Sequence, residues 1–247
     1  MARPLTDYRV ISMDCYGTLI DWETGIWEAF QPMFDVNSEP PSRGETLVAF
    51  AELESAQEAA TPAMLYPDIL RNVHEQLANR FDLEATESLH DRFGESVQNW
   101  PAFPDATQAL RRLQKHYKLA ILSNVDRTSF AASNEKLEVD FDVIYTAEDV
   151  GAYKPADANF DYLLTGLGDL GYSPSKDILH VAQSLFHDHG PAERFGIDRV
   201  WIDRQRLSDG GAWGATARLD HIPPVDFTYF TMAEFADAVD ASSRGDS

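Results

Sequence analysis

The 247-residue sequence contains one cysteine, Cys15, so an intrachain disulfide is excluded. Lysine is nearly as scarce, at Lys115, Lys118, Lys136, Lys154 and Lys176 alone. No apolar run approaches the ~18 residues a membrane-spanning helix needs. Residues 1–7 lack the apolar stretch of a secretory signal. Internal repeats and low-complexity segments are missing too. These absences speak against a disulfide-stapled secreted fold and a membrane protein, and lead to the expectation of a reducing, cytoplasmic setting. Positive charge is also short. Twenty Lys+Arg stand against 41 Asp+Glu, a net charge of −21, which argues against nucleic acid or an anionic membrane as partner. High aspartate with low lysine resembles proteins of salt-rich cytoplasm, where screening moderates self-repulsion, so a halophilic source is expected.

A hydrophobic fraction of 44% over this length is enough to bury a core. Short apolar runs recur at residues 8–14, 118–124, 141–146, 177–183 and 199–203, and helical patterns at 105–116, 159–167 and 190–195 fall between them. That alternation predicts an α/β fold with a Rossmannoid, mostly parallel sheet and helices on both faces. Residues 22–99 differ: their spacing is helical, notably over 46–60 and 68–80, and Pro40, Pro41, Pro62 and Pro67 break them into pieces. The expected organisation is a core of residues 1–20 and 101–247 with a helical cap, 21–100, inserted after the first strand. Beyond Asp203 the glycines Gly210, Gly211 and Gly214 predict a surface loop, and residues 242–247 are expected to fray.

In an open parallel sheet, ligands bind beyond the carboxyl ends of the strands. Asp14, Ser123, Asn124, Lys154 and Asp188 all fall at or after predicted strand ends. Taken singly each has an ordinary explanation. Asp14 reads as a turn residue and Lys154 as a solvated loop side chain. Asp188 and Thr18 read as helix caps, and Ser123 as a strand-end hydroxyl. Cys15 is expected to be buried and inert beside Asp14. Trp22, Trp27 and Trp100 read as packing, and the spacing of His74, His90, His180, His187 and His189 suits no metal.

Taken together, four segments are specific. Asp14-Cys15-Tyr16-Gly17-Thr18-Leu19, Leu122-Ser123-Asn124, Tyr153-Lys154-Pro155 and Gln183-Ser184-Leu185-Phe186-His187-Asp188 resemble, in order, the four motifs of the haloacid dehalogenase superfamily. The insert between the first two is also similar, and the resemblance spans about residues 8–240. Most members of that superfamily are magnesium-dependent phosphatases with a proton-donating Asp two positions after the nucleophile and an Asp opening the fourth motif. Here those positions hold Tyr16 and Gln183. The sequence is closer to the (S)-2-haloacid dehalogenase (type II) branch, with a variant fourth motif.

That resemblance implies a hydrolase that needs no metal or other cofactor. Asp14 would displace halide from a small, anionic 2-haloalkanoic acid, and water activated by Asp188 would hydrolyse the ester to a 2-hydroxy acid. Lys154 would keep Asp14 ionised, and Thr18 and Ser123 would donate to Asp14 or the substrate. Asn124, Tyr16, Gln183 and His187 would contact substrate. Two departures are visible. The cap arginine that withdraws halide falls at Ala51, with Arg43 and Arg71 as substitutes from elsewhere, and the tyrosine after the motif lysine is Phe160. A magnesium-dependent phosphatase and a non-catalytic binding protein of the same fold are the alternatives. Exposed cap helices would permit a homodimer.

Overall fold

The computed structural model describes residues 3–211, 219 and 222–245. Six strands form one parallel sheet in the order β3-β2-β1-β4-β5-β6. They are β1 (Val10–Met13), β2 (Lys118–Ser123), β3 (Val143–Thr146), β4 (Ile178–Ala182), β5 (Asp198–Ile202) and β6 (Phe227–Tyr229). The sheet matches the fold expected from the apolar runs. Alternate strand residues feed two apolar layers, as the two-residue period of a strand requires. Ile11, Met13, Leu119, Ile121, Leu179 and Val181 point into one. Val10, Ala120, Leu122 and Ile178 point into the other, with Phe160, Leu163 and Leu167.

The segment between β1 and β2 holds α1 (Trp22–Phe34), α2 (Arg43–Ala60), α3 (Tyr66–Arg80) and α4 (Glu87–Gly94), a 3-10 turn (Ser96–Asn99) and α5 (Ala106–Leu113). Later come α6 (Arg127–Leu137), α7 (Ala147–Val150), α8 (Asp157–Asp169), α9 (Pro174–Asp177), α10 (Gly190–Arg194) and α11 (Met232–Gly245). Helix α2 opens on a capping box in which the Ser42 hydroxyl accepts from the Glu45 N–H and the Glu45 carboxylate accepts from the Ser42 N–H. The insert packs around Phe30, Phe50, Phe93 and His74. The His74 ring stacks on Phe30 with 5.3 Å between centroids and pairs with His90 at 2.7 Å between Nδ1 atoms. Burial, then the neighbouring His90, pulls His74 down to about 3, so this core pair carries no charge on His74 at neutral pH.

The chain enters and leaves the insert side by side. The Asp21 N–H donates to Pro101 O at 2.8 Å and the Phe103 N–H to Leu19 O at 2.9 Å, around an antiparallel bridge between Ile20 and Ala102. Just inside this clasp, Gly25 lies against Trp100. A Cβ there would stand 2.3 Å from the indole Cγ. Helix propensity alone favours Gly25→Ala by about 1 kcal/mol, but overpacking a fixed ring costs about 1–3 kcal/mol. Gly25→Ala therefore lowers the midpoint of thermal unfolding; a raised midpoint would show that Trp100 is free to move.

The chain after Asp203 keeps the expected surface loop at Gly210 and Gly211, which are exposed, and departs from expectation farther on. Phe227–Tyr229 adds a parallel edge strand beside β5, too short to show a period. Helix α11 buries Met232, Phe235, Ala236 and Val239, spaced as one helical face. The expected fray at 242–247 is not seen over 242–245. The Ser242 and Ser243 hydroxyls donate to Ala238 O and Val239 O in the last turns. Gly214 and residues 246–247 lie outside the described residues.

Candidate active site

The carboxyl end of β1 carries Asp14, whose N–H donates to Val181 O and continues the ladder into β4. The chain then turns at Gly17, with φ +89°, where a Cβ would also stand 3.0 Å from both Gln183 Oε1 and the Trp22 indole nitrogen. Only glycine satisfies both demands. The turn brings Thr18 back over Asp14. The Thr18 hydroxyl donates to Asp14 Oδ2 at 2.9 Å and accepts from the Gln183 N–H at 2.9 Å.

Lys154 follows β3 and precedes Pro155. Its backbone is gripped by Asn124: the Lys154 N–H donates to Asn124 Oδ1 at 2.7 Å, and Asn124 Nδ2 donates to Lys154 O at 3.0 Å. The Lys154 ammonium, 1% exposed, donates to Asp14 Oδ1 at 2.9 Å, Asp188 Oδ1 at 2.7 Å and Leu122 O at 2.9 Å. Asp188 sits in a single π turn, Leu185–His189, capped by the Ser184 side chain.

Behind Asp188 lies a pair that the spacing of the histidines did not reveal. His180 and Ser12 are register partners on β4 and β1. His180 Nε2 is 3.1 Å from Asp188 Oδ1 and its Nδ1 is 2.8 Å from Ser12 Oγ. With Asp188 ionised, the consistent tautomer carries its proton on Nε2 and accepts the Ser12 hydroxyl at Nδ1. Phe160 closes against the His180 ring at 5.2 Å.

Two carboxylates around one buried ammonium titrate as a unit. Burial is the strongest influence on Asp14 and pushes its carboxyl above the ordinary range; Lys154 opposes this and the charge of Asp188 adds to it. Burial also works against the charge of Asp188, but Lys154 and His180 outweigh it and hold that carboxyl below the ordinary range. Burial likewise disfavours the Lys154 ammonium, yet Asp14 and Asp188 hold it above its usual value. Burial pushes the Cys15 thiol up as well, in keeping with an inert, buried side chain.

A cleft of about 80 Å³ opens onto this group, lined from the sheet side by Asp14, Lys154, Asp188 and His187 and from the insert by Ala51, Glu54 and Glu58, among others. Asp188 Oδ2 and His187 Nε2 are both buried without a hydrogen-bond partner. Burial pulls His187 down to about 4, so its ring is neutral near pH 7.

Several sequence expectations need correction. Ser123 Oγ is buried, has no partner and is not part of the cleft lining; Asp14 receives its hydrogen bonds from Thr18 and Lys154. The Tyr16 hydroxyl is turned away, 2.8 Å from Ser133 Oγ, and only the ring borders the cleft, edge-on to Trp100. Asn124 and Gln183 both line the cleft as expected of residues near a substrate, but their side chains are also engaged in the fold: Asn124 holds the backbone of Lys154, and Gln183 donates to Gln205 Oε1 at 2.6 Å. Arg43 donates to Thr24, and Arg71 pairs with Asp91 and Glu87 on the exposed side of the insert, so neither replaces a cap arginine. Ala51 does line the cleft. Glu54 and Glu58 were missed, although they fall on the same α2 stripe as buried Leu47 and Phe50.

The donor set does not fit a magnesium ion. Mg²⁺ demands octahedral oxygen ligands, whereas an ammonium bridges the two facing carboxylates and the Gln183 amide is held by Gln205. Among the described residues no cluster of three or more His, Cys, Asp or Glu is arranged to hold a metal, and no helix is long and apolar enough to cross a membrane.

The chain is 26% identical over 205 residues to (S)-2-haloacid dehalogenase 4A of Burkholderia cepacia, covering 80% of this chain and 84% of that protein. It superposes on L-2-haloacid dehalogenase from Xanthobacter autotrophicus with chloropropionic acid covalently bound, at TM-score 0.75 and 20% identity, over 94% of this chain and 98% of the other. The putative HAD-hydrolase YfnB from Bacillus subtilis, bound to magnesium, gives TM-score 0.73 and 17% identity over 94% and 99%. At those identities the structural likenesses establish the fold. The sequence model of the haloacid dehalogenase-like hydrolases matches residues 8–181, about 70% of the chain, and the protein belongs to that family.

Proposed function

We propose that the protein is a metal-independent hydrolase of carbon–halide bonds that acts on a small 2-haloalkanoic acid, with residues 21–100 as its cap domain. The observation that carries this reading is the position of Tyr16. A phosphatase needs an acid two residues after its nucleophile to protonate a leaving alkoxide; here the Tyr16 hydroxyl faces Ser133. A halide leaves as a stable anion and needs no proton. The curated relative from Burkholderia cepacia supports the same chemistry.

In the first step an ionised Asp14 oxygen attacks C2 of the acid. The C–O bond forms as the carbon–halogen bond breaks, and the pair of electrons leaves with halide. Lys154 stabilises the charged carboxylate and Thr18 fixes its rotation. In the second step a water gives a proton to Asp188 Oδ2, the oxygen left without a partner, and attacks the ester carbonyl carbon of Asp14. Collapse of the tetrahedral intermediate breaks the ester C–O bond, the departing alkoxide takes the proton from Asp188 to give the 2-hydroxy acid, and Asp14 regains its charge by releasing the water's other proton to solvent. His187 Nε2 is the neutral polar atom available to the bound substrate. Gln183 supports Thr18 through its N–H, and Asn124 supports Lys154. The reading includes a cytoplasmic setting in a halophilic source, no nucleic-acid partner, and exposed Val48 and Leu65 on the cap as room for a second copy.

Incubation with chloro-, bromo- and fluoroacetate and racemic 2-chloropropionate, at low and high salt and with a chelator present, should release halide and the 2-hydroxy acid in equal amounts. Silence on all four acids would remove the proposal. Turnover of p-nitrophenyl phosphate that the chelator abolishes would establish the phosphatase alternative.

A further inference from the structure

An ammonium has three N–H donors, and Lys154 has given one each to Asp14, Leu122 O and Asp188. Among the described residues, a carboxylate entering the cleft therefore meets no unengaged cation on the sheet side. The insert contributes none either. Its carboxyl groups in the cleft are Glu54 and Glu58, four residues apart on one face of α2, a turn beyond Ala51. Glu54 accepts from the Tyr66 hydroxyl on α3. Glu58 is 6% exposed, and its Oε2 is 3.5 Å from Asn124 Nδ2, a donor already committed to Lys154 O. Tyr153 lies near the pair from the loop after α7. Across the cleft stand Asp14, Asp188 and neutral His187. Two more negative charges added to this cleft would repel the substrate from its nucleophile.

We propose that Glu58 keeps its own proton and acts as a neutral anion acceptor, its carboxyl donating an O–H hydrogen bond to the carboxylate of the bound 2-haloacid, while Glu54, one turn away on α2, disfavours the loss of that proton. This rests on the dehalogenase reading given above. The physical basis is the asymmetry of a carboxyl group. Protonated, it is a donor that attracts an anion; ionised, it only accepts and repels one. Burial pushes Glu54 up to about 7. Burial and then the charge of Glu54 push Glu58 above the ordinary carboxylate range, against the pull of Lys154. The cleft thus admits an anionic substrate while Glu58 holds its proton and rejects it once that proton is lost.

The test compares chloroacetate with chloroacetamide, its neutral isostere, from about pH 5 to about pH 9. A 2-haloacid stays ionised throughout that range. In the wild type, kcat/KM for the acid should fall about tenfold per pH unit above the titration of Glu58, mostly through KM, while the amide lacks that fall. Glu58→Gln keeps an N–H donor and cannot ionise, so its alkaline fall for the acid should vanish or move up by at least about one pH unit. Binding of glycolate to the wild type, measured by calorimetry, should weaken over the same interval. Matching pH profiles for acid and amide, an unshifted fall in Glu58→Gln, or pH-independent glycolate binding would each overturn the proposal. If neither compound releases halide, the dehalogenase reading fails by itself, and glycolate binding still decides whether Glu58 accepts an anion.

Discussion

Asp14→Asn loses halide release by about 10⁴-fold or more, because Asp14 supplies the attacking oxygen and an amide is a far weaker nucleophile than a carboxylate. The fold should survive, since Asn keeps an oxygen for Thr18 or Lys154. Asp188→Asn gives a different failure. Halide is still displaced once, but the base for the second step is gone, so the chain gains the mass of the substrate less hydrogen halide. Intact mass after brief incubation with chloroacetate reads this directly, and no adduct in Asp188→Asn would place the chemistry elsewhere. The wild-type rate should also fall in acid. A carboxyl raised by burial protonates above the ordinary range, and an uncharged Asp14 does not attack, so the acid limb is expected above the usual carboxylate values.

Lys154→Met should unfold at markedly lower denaturant, with a loss of about 3–5 kcal/mol near neutral pH. Methionine fills the channel but leaves Asp14 and Asp188 facing each other without a counter-charge. Asp188 is held below the ordinary range in the wild type, so it contributes stability that is present above that range and lost as pH falls. In the variant the two carboxyls are raised, the folded state binds more protons than the unfolded, and stability falls as pH rises. The gap between the two proteins therefore widens from about pH 4 to about pH 7. Parallel urea curves at both pH values measure it. An equal gap at both would mean that the loss is one of packing rather than of charge.

What was legible in the sequence came from patterns that repeat or from fixed order. Apolar runs that end on polar residues located the strand ends, and four such ends in sequence located Asp14, Lys154 and Asp188. The parts missed depend on orientation and register. Ser12 and His180 meet because parallel pairing sets them opposite each other, and nothing in a separation of 168 residues announces that. Whether Tyr16 looks into the cleft or toward Ser133 depends on the turn at Gly17. Glu54 and Glu58 belong to a helix that also carries Glu45 and Glu52, so their burial, not their type, sets them apart. Two carboxylates on a stripe shared with Leu47 and Phe50 were the available signal.

The paired crossing at Ile20 and Ala102 has a consequence for how the molecule is assembled. Bringing together the ends of a disordered stretch of about 80 residues costs the chain about 4 kcal/mol of entropy. Here the two ends sit on adjacent rungs, so a folded insert hands them to the sheet already joined and that entropy is not charged to β1 and β2. The Rossmann-like half then responds to the stem alone. A shorter loop or an unrelated lid grafted at the same two rungs would leave the parallel register undisturbed.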